Sequence, residues 1–474
     1  MPTGFSWAEL DVDGARVVDV NHAQLPPSGE FVLYWCMVNH RAEQNHALDA
    51  AIALGNHLGL PVVCYHALRP DYPHASDRLH AFAIEGMIDL RLGLKRRGVP
   101  YWPELPRKPS EHKKRIAQLG KRASAIVTDA FPTYVVPGHL RGASRALRNP
   151  LFAVDASCVV PMQRIPEPQI GARTLRPKVH KLWPQYLRPL PERKPKHAAR
   201  AGKLDPGFQP ADPEEAREKL GSFAIDHAVP PVRTRRGGRK AALARLGAFV
   251  SGALEQYEEG RNEPSEALSS GLSPYLHWGN LFAGEAALAA REALGEGHPS
   301  VQSFLEELLV RRELGFNYCL HTPPEKQLDF ASLPAWARRT LDDHRGDTRD
   351  ALYTLEELEA GRTYDGIWNA SQRQLLEEGR IHNYLRMLWG KKILEWSPSP
   401  EEALKRISAI NDRWALDGRD PASVANFMWV LGLHDRPFQE RPVIGKVRPM
   451  SSFRTEKKFD LTGYLERYGE KGRD

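Results

Sequence analysis

The sequence predicts an α/β domain with a parallel sheet, followed by an all-helical domain. Short apolar runs alternate with helical patterns up to about residue 156, which is typical of parallel β-α-β units. A basic, proline-rich stretch follows, and beyond about residue 235 amphipathic helical patterns dominate while strand-like runs are scarce. A chain of 474 residues is long enough for about two or three domains.

Five apolar runs define the predicted sheet, and each is suited to a buried strand. In chain order they are FVLYWCMV (31–38), PVVCYHAL (61–68), VPYWPEL (99–105), SAIVTDA (124–130) and LFAVDA (151–156). Helical patterns separate them at 44–60, at 77–97 and near 109–121. No G-x-G-x-x-G motif follows the first strand, so the dinucleotide-binding fingerprint is missing from this domain.

The composition shifts along the chain predict four segments. Residues 1–30 form a loosely attached N-terminal extension, in which VVDV (17–20) is a candidate edge strand. The α/β domain covers 31–189, a proline-rich linker covers 190–232, and the helical domain covers 233–474. Three long amphipathic patterns mark the helical domain: AALARLGAFVSGALEQYEE, VQSFLEELLVRRELGFNYC and QLLEEGRIHNYLRMLWGKKILEW.

The composition excludes several classes of protein. With 41% apolar and 26% charged residues, the chain is neither disordered nor collagen-like. No apolar run approaches the roughly 18 residues of a membrane span, and the N-terminus lacks the apolar core of a signal peptide. The four cysteines are far apart and form no C-x-x-C pair, so we expect no disulfide framework, no metal site and a cytoplasmic location.

Positive charge is concentrated in one segment. Residues 171–245 contain 18 Lys and Arg against seven Asp and Glu, with dense runs at 172–181 and 233–240. Such runs are typical of a surface that binds a polyanion, because each neutralised phosphate releases counterions. A solvated, flexible linker explains the same composition, and six prolines between 189 and 213 favour that alternative for the middle of the segment.

Seven sequence blocks resemble one known family. In chain order they are FVLYWCMVNHRAEQNHAL, GLSPYLHWGNL, FLEELLVRRELGFN, YDGIWNASQ, GRIHNYLRMLWGKKILEW, NDRWALDGRDP and GLHDRPFQERPVIGKVRPMS. Together they resemble the class II DNA photolyases of the photolyase/cryptochrome family, over about residues 16 to 466. The resemblance implies a flavoprotein lyase that uses blue light to split cyclobutane pyrimidine dimers in UV-damaged DNA. It also implies a Rossmann-like α/β domain and a helical domain that holds FAD. We expect a monomer, with a deazaflavin, a folate, a flavin or nothing as a second, antenna chromophore.

Splitting such a dimer requires the addition and return of one electron, and little acid–base chemistry by the protein. The cofactor carries that chemistry, while the protein supplies binding, orientation and electrostatics. The sequence agrees, since it has no H-E-x-x-H, no G-x-S-x-G and no Walker loop.

The flavin site is expected in ALSSGLSPYLHWGN (267–280), where hydroxyl groups and glycine precede a helix. A helix N-terminus offers free N–H groups to a diphosphate, although the residues alone also fit an ordinary capped helix. The resemblance implies that the phosphates are held by Ser270, Gly271, Leu272 and Ser273, with Tyr257 upstream. It further implies an Arg386–Asp417 ion pair beside the isoalloxazine and Asn411 facing flavin N5.

Two tryptophans indicate an electron route. Trp389 and Trp396 are seven residues apart in a helical pattern, which puts both indoles on one face about 10 Å apart along the axis. Aromatic residues at this spacing usually fill a core. The resemblance instead implies a hopping chain from the flavin to solvent, in the order Trp389, Trp368, Trp396.

The resemblance also assigns the DNA side. Glu307 contacts the thymine edges of the flipped dimer, although its helical context also fits a solvated carboxylate or a partner for Arg311. Val310 and Arg311 stand where some relatives have Trp, so the resemblance implies that one aromatic wall is either missing or replaced. The remaining pocket contacts are Asn262, Tyr384, Met387 and Trp429. The basic, proline-rich stretch 434–450 reads as a loop that opens the DNA, with contacts from Asp435, Arg436, Phe438, Arg441, Lys446 and Arg448.

Three functions remain as alternatives. The first is light-driven DNA repair. The second is a cryptochrome-like photoreceptor that keeps FAD and the tryptophans but signals to a partner. The third is a nucleotide-binding α/β enzyme without light chemistry. Glu307, Met387 and Trp429, and a chain that stops soon after the helical domain, favour the first.

Overall fold

The computed structural model describes residues 4–26, 28–108, 115–197 and 204–470. Its N-terminal part contains one six-stranded sheet. The strands are β1 (Val17–Asp19), β2 (Phe31–Cys36), β3 (Val62–Ala67), β4 (Tyr101–Glu104), β5 (Ala123–Asp129) and β6 (Leu151–Val154). Their order across the sheet is β1-β6-β5-β2-β3-β4, and every pair is parallel except β1 with β6. The predicted parallel α/β domain is confirmed.

The central strand shows why this sheet is buried on both faces. All six residues of β2 are buried. Phe31, Leu33 and Trp35 pack into the apolar cluster on one face, whereas Val32 and Tyr34 pack into the cluster on the other. A strand covered on both sides needs a continuous apolar run rather than an alternating one, and FVLYWC provides it.

The helices around the sheet are α1 (His46–Leu58), α2 (Asp77–Arg97), α3 (Arg115–Gly120) and α4 (Val135–Ala146). α2 has its predicted ends, whereas α1 is two residues shorter at each end than the predicted 44–60 and stops at Gly59, whose φ of 70° favours glycine. The predicted helix near 109–121 is seen as α3, while residues 109–114 lie outside the described ranges. The sequence did not predict α4.

The N-terminal segment is more firmly held than expected. β1 adds an antiparallel edge strand, which confirms the VVDV candidate. The guanidinium of Arg16 is buried and donates to the carbonyls of Asp155, Cys158 and Val159. The expectation of a loose attachment is therefore wrong.

The rest of the described chain is helical. The bounds are α5 (Ala172–Tyr186), α6 (Pro213–Glu218), α7 (Arg239–Ala248), α8 (Tyr257–Gly260), α9 (Ser273–His277), α10 (Ala283–Leu294), α11 (Pro299–Leu305), α12 (Arg312–His321), α13 (Ala335–Asp343), α14 (Leu355–Glu359), α15 (Gly366–Glu378), α16 (Asn383–Glu395), α17 (Pro400–Trp414), α18 (Pro421–Val430), α19 (Ser452–Lys458) and α20 (Thr462–Tyr468). A π-helical turn, Glu306–Arg311, joins α11 to α12. None of the helices in the described ranges is both long and apolar enough to cross a membrane.

Buried polar contacts fasten the helical part to the sheet. Arg78 at the start of α2 donates to the carbonyls of Leu375 and Trp414. From the other side, Glu313 of α12 accepts the N–H of Val159. Burial raises the pKa of Glu313 to about 8, against the charge of Arg312. These contacts set the position of α15 and α12 relative to the sheet.

Candidate functional site

Three buried indoles form a row between α15 and α16. The rings of Trp368 and Trp389 stack with centroids 6.2 Å apart and planes 4° apart. The ring of Trp396 meets Trp368 edge-on at 5.5 Å. Two hydrogen bonds fix the row: Trp368 Nε1 donates to the carbonyl of Trp389, and Trp389 Nε1 donates to Gln372 Oε1. Trp368 thus lies between Trp389 on α16 and Trp396 at the C-cap of the same helix.

The outer end of this row differs from the expectation. Trp396 is only 1% exposed, so the three indoles by themselves do not reach solvent. Two tyrosines continue the row, since Tyr353 and Tyr364 meet the Trp396 ring at 5.3 and 5.5 Å. Tyr364 is 62% exposed. Neither tyrosine has a helical spacing to Trp396, so no pattern in the sequence predicts that it continues the row.

An ion pair lies one turn before Trp389 on α16. Arg386 donates to both oxygens of Asp417, at 2.7 and 3.0 Å, and to Asn411 Oδ1 at 2.6 Å. Burial of Asp417 opposes its ionisation, but the charge and hydrogen bonds of Arg386 outweigh it and lower the pKa of Asp417 to about 2. Asn411 in turn donates to Asp412. The structure therefore joins the three residues as one charged, hydrogen-bonded cluster.

The loop before α9 has the features of an anion site. Arg245 donates to the carbonyls of Ser269 and Ser270, and Arg235 donates to that of Gly271. Within the described chain, the N–H groups of Ser270, Gly271 and Leu272 have no protein acceptor. The φ of Gly271 is 64°, and a Cβ there would lie 3.0 Å from Arg245 Nε.

The charges around this loop suit a diphosphate. Arg380 donates to Ser269 Oγ, which adds a third guanidinium. Burial and the neighbouring Arg380 lower the pKa of both Arg235 and Arg245, and Arg235 Nε is buried without a partner. Three like charges at one loop are stabilised by an anion that accepts their hydrogen bonds and those of the free N–H groups. The residues present thus fit the phosphates of a dinucleotide.

Tyr257 lies in a different setting from this loop. Its ring packs against Phe249 and Phe304, and the guanidinium of Arg261 lies 5.9 Å from its centroid. Burial raises the pKa of Tyr257. Within the described residues, no hydrogen bond joins Tyr257 to the loop.

Glu307 projects from the π-helical turn, a feature that is frequent at functional sites. Its Oε1 accepts from Arg261 Nη1 at 2.8 Å, and both side chains are about a third exposed. Arg311 is not its partner, because Arg311 pairs with Glu306. The sequence analysis named Asn262 and missed the adjacent Arg261, since a contact across 46 positions leaves no local pattern.

The other expected pocket residues lie on α16 and α18. Tyr384 and Met387 are half-buried on the first turns of α16, and Tyr384 meets Phe459 edge-on at 4.6 Å. Below the Trp429 ring, the ammonium of Lys391 lies 4.5 Å from the centroid and donates to the carbonyl of Val430. Burial lowers the pKa of Lys391 to about 7. The sequence analysis did not identify this buried cation.

The stretch 434–450 is a loop, as expected. Arg441 and Gly445 exchange both backbone hydrogen bonds, which closes its tip. Arg448 forms two hydrogen bonds of 2.8 Å with Asp435. The guanidiniums of Arg448 and Arg436 lie 4.4 and 5.4 Å from the Phe438 centroid. Lys446 is 3.7 Å from Glu440, while Arg441 is exposed and has no ion pair in the described chain.

The basic run 233–240 is not a uniform exposed surface. Arg235 is mostly buried and bonded to Gly271, and Arg239 forms two hydrogen bonds with Glu285. Only part of the run, such as the largely exposed Arg236, faces solvent. The expectation of a polyanion surface is therefore wrong for Arg239, whose charge is already compensated.

A cavity of about 370 Å³ lies at the carboxyl ends of the parallel strands. Its wall includes Trp35, His66, Tyr72, Phe131, Tyr134, Trp278 and Arg419. Parallel sheets commonly bind ligands at this edge. Tyr134 donates to Asp412, the residue that accepts from Asn411, so the cavity and the Arg386 cluster share one hydrogen-bonded residue.

Comparison with known proteins agrees with this architecture. A family model described as DNA photolyase matches residues 32–196. A deoxyribodipyrimidine photo-lyase of Methanothermobacter thermautotrophicus is 35% identical over 457 residues, which cover 96% of this chain and 98% of the relative. A cryptochrome of Synechocystis sp. superposes with a TM-score of 0.70 at 17% identity, over 94% of this chain and 89% of that one. An archaeal photolyase of Sulfolobus tokodaii with two FAD molecules superposes with a TM-score of 0.65 at 16% identity, over 92% and 89%. The two structural likenesses concern the fold alone.

The fold and the site define a two-domain protein whose helical half carries a charged cluster and a row of buried aromatic rings. With a relative this similar over nearly its whole length, the chain belongs to the photolyase/cryptochrome family.

Proposed function

We propose that this chain is a light-dependent DNA repair enzyme that splits cyclobutane pyrimidine dimers in UV-damaged DNA. The row Trp389–Trp368–Trp396, which begins one turn from the Arg386–Asp417 pair, carries this proposal. An aligned row of buried indoles is a device for moving single electrons. The relative from Methanothermobacter thermautotrophicus bears the name of this activity.

The cofactor that the site suits is FAD. Its diphosphate fits the free N–H groups of Ser270, Gly271 and Leu272 together with Arg235, Arg245 and Arg380, and the resemblance adds Ser273 at the start of α9. Bound FAD supplies light absorption and one-electron chemistry. Arg386 and Asn411 present a donor and an amide to the ring system, and Asp417 keeps Arg386 oriented. Tyr257 is assigned to this site by resemblance. Its ring packs against Phe304 and lies under the guanidinium of Arg261.

The tryptophan row, continued to the surface by Tyr353 and the exposed Tyr364, delivers electrons inward. Trp389 is the inner member, Trp368 the middle one and Trp396 the outer one. Neighbouring rings are in contact at 6.2 and 5.5 Å, so each transfer crosses only van der Waals distance. Burial of all three indoles excludes water from the path.

Glu307 is proposed to bind the thymine edges of the flipped dimer. Its Oε2 has no protein partner in the described chain and is free to accept a hydrogen bond, while Arg261 holds Oε1. Asn262, Tyr384, Met387 and Trp429 line the same pocket by resemblance. A dimer is poorly paired and stacked, so extruding it costs less than extruding an intact base.

The loop 434–450 is proposed to enter the opened duplex. Phe438 offers an aromatic face that two guanidiniums support, and Asp435 fixes Arg448 beneath it. An aromatic ring backed by cations can stack on an exposed base while its neighbours contact phosphates. Arg436, Arg441 and Lys446 supply such contacts.

We assign the chain to class II within the family. The seven blocks quoted above support this assignment, and so does the placement of the tryptophans, with Trp389 on α16, Trp396 at its C-cap and Trp368 on α15. The division into 1–30, 31–189, 190–232 and 233–474 also stays a proposal. So do a monomeric state, a cytoplasmic location, and a deazaflavin, a folate, a flavin or nothing as the antenna chromophore.

One experiment tests the function. The purified chain is loaded with FAD, reduced, mixed with a duplex that carries one thymine dimer, and illuminated with blue light. We expect loss of the dimer in the light and none in the dark. A chain that binds FAD and undergoes photoreduction through the tryptophans, yet never reverses a dimer, would instead be a photoreceptor.

A further inference from the structure

The segment that leads into α5 carries the most exposed large apolar side chain among the described residues. Ile170 is 82% exposed. Its carbonyl accepts the Nδ1–H of His434 at 2.9 Å, and a Cβ on Gly171 would contact the His434 carbonyl at 3.4 Å. Ile170 is therefore held beside the loop 434–450.

Two free cations follow on the outward face of α5. Leu175 and Val179 face inward and are 1% exposed, whereas Arg173 and Lys181 are exposed. Eight residues of helix separate these cations by about 12 Å along the axis. Neither has a carboxylate within 4 Å in the described chain, although Lys178 nearby pairs with Glu167.

The same helix is fastened to the turn that carries Glu307. Arg176 forms two hydrogen bonds of 2.7 and 2.8 Å with Glu306, which also accepts from Arg311. The burial that opposes ionisation of Glu306 is outweighed by Arg176, and its pKa is lowered. α5 thus connects the two elements that the proposed function places against DNA, the Glu307 turn and the loop 434–450.

We propose that Ile170, Arg173 and Lys181 form a second DNA-contacting arm that grips the duplex beside the opened lesion. This inference rests on the proposed function. Uncompensated cations on a fixed helix neutralise phosphates and release counterions. A single protruding isoleucine next to a loop that enters the duplex suits the face of the neighbouring, partly unstacked base pair. One exposed apolar side chain beside two cations is too small a patch to serve a protein partner of ordinary interface size.

The test compares two charge-reversal variants of equal net charge. Arg173→Glu/Lys181→Glu changes the arm. Arg145→Glu/Arg148→Glu changes two exposed residues at the end of α4 that have no ion pair in the described chain. Affinity for a duplex with one thymine dimer is measured in the dark by fluorescence anisotropy at several salt concentrations. Thermal unfolding of each variant verifies that it is folded.

We expect the arm variant to weaken binding by about tenfold or more, and to lower the slope of log K against log salt by about 2, one for each lost phosphate contact. The control should change both quantities much less.

Ile170→Ala should reduce the preference for damaged over undamaged duplex without altering the salt slope, and Ile170→Leu should restore it. If both charge variants lose the same affinity for the duplex, or if neither loses any, the proposed arm is wrong. If the unaltered chain repairs dimers normally while the arm variant binds like the control, only the arm fails. If the unaltered chain never repairs a dimer, both the proposed function and the proposed arm are wrong.

Discussion

The indole of Trp368 lies against that of Trp389 with the two planes 4° apart, and its Nε1 donates to the Trp389 carbonyl at 3.0 Å. This contact joins α15 to α16. Because the same Trp368 ring also meets Trp396, it connects the inner indole to the outer one.

We therefore expect Trp368→Phe to abolish photoreduction of bound FAD while leaving repair by chemically pre-reduced enzyme largely intact. Phenylalanine fills much of the space but lacks the electron-rich indole. Trp389→Phe should behave in the same way. The control is Trp102→Phe, which changes a buried indole on β4 outside the row. Parallel loss of photoreduction and repair would show that Trp368 is only a packing residue.

Glu307→Ala should reduce dimer splitting per absorbed photon and leave flavin content and photoreduction near normal. A group that stabilises developing charge acts on the chemical step more than on binding, and an unpaired buried polar group costs about 1–3 kcal/mol. Arg261→Ala should give a smaller loss, because it only orients Glu307. Glu292→Ala on α10 is the matched control, since this exposed carboxylate has no ion pair in the described chain. An unchanged quantum yield for Glu307→Ala would remove it from the site.

Asp417→Asn should destabilise the fold by about 3 kcal/mol, the lower end of the cost of breaking a buried ion pair, because it removes the counter-charge of Arg386, whose side chain is 22% exposed. It should also lower the flavin-to-protein absorbance ratio after gel filtration. The same change at Asp226, whose partner Arg413 is about a third exposed, should cost no more than about 1 kcal/mol. Urea unfolding of both variants measures the difference, and similar costs would contradict the assigned burial of the Arg386 pair.

Arg441→Ala should weaken binding to damaged and undamaged duplex alike and lower the salt slope by about 1. The motivation is an exposed guanidinium at the tip of the loop 434–450, where Arg441 and Gly445 exchange backbone hydrogen bonds. Binding measured between low and moderate salt tests this. A loss confined to damaged DNA would assign Arg441 to the lesion itself rather than to the backbone.

Acid should destabilise the protein through buried histidines. Burial lowers the pKa of His80 to about 3, from about 6.5 in an unfolded chain. Between these values the unfolded state binds the extra proton, so stability falls as pH decreases, by about 1.4 kcal/mol per pH unit. In the His80→Phe variant, the free energy of unfolding measured in urea should depend less steeply on pH between pH 6 and 4, and the slope should fall by about this amount. His197→Phe, at an exposed site, should not.

Many elements of this fold follow from short stretches of the chain, and the sequence alone determined them. Continuous apolar runs such as FVLYWC identified the buried strands, and turn residues such as Gly59 marked where helices end. The proline-rich composition of 434–450 identified a loop for a similar reason, because proline removes backbone donors and fixes φ.

Only the tertiary structure decided which distant side chains meet. Spacing within α16 related Trp389 to Trp396, but the packing of α15 inserted Trp368 between them. Helical proximity suggested Arg311 as the partner of Glu307, whereas the contact comes from Arg261, 46 positions away. Burial likewise sets the pKa values of Asp417 and Lys391, and it arises from elements that no short stretch of sequence contains. Period and composition are properties of neighbours along the chain, while ion pairs, stacking and desolvation depend on how separate elements pack.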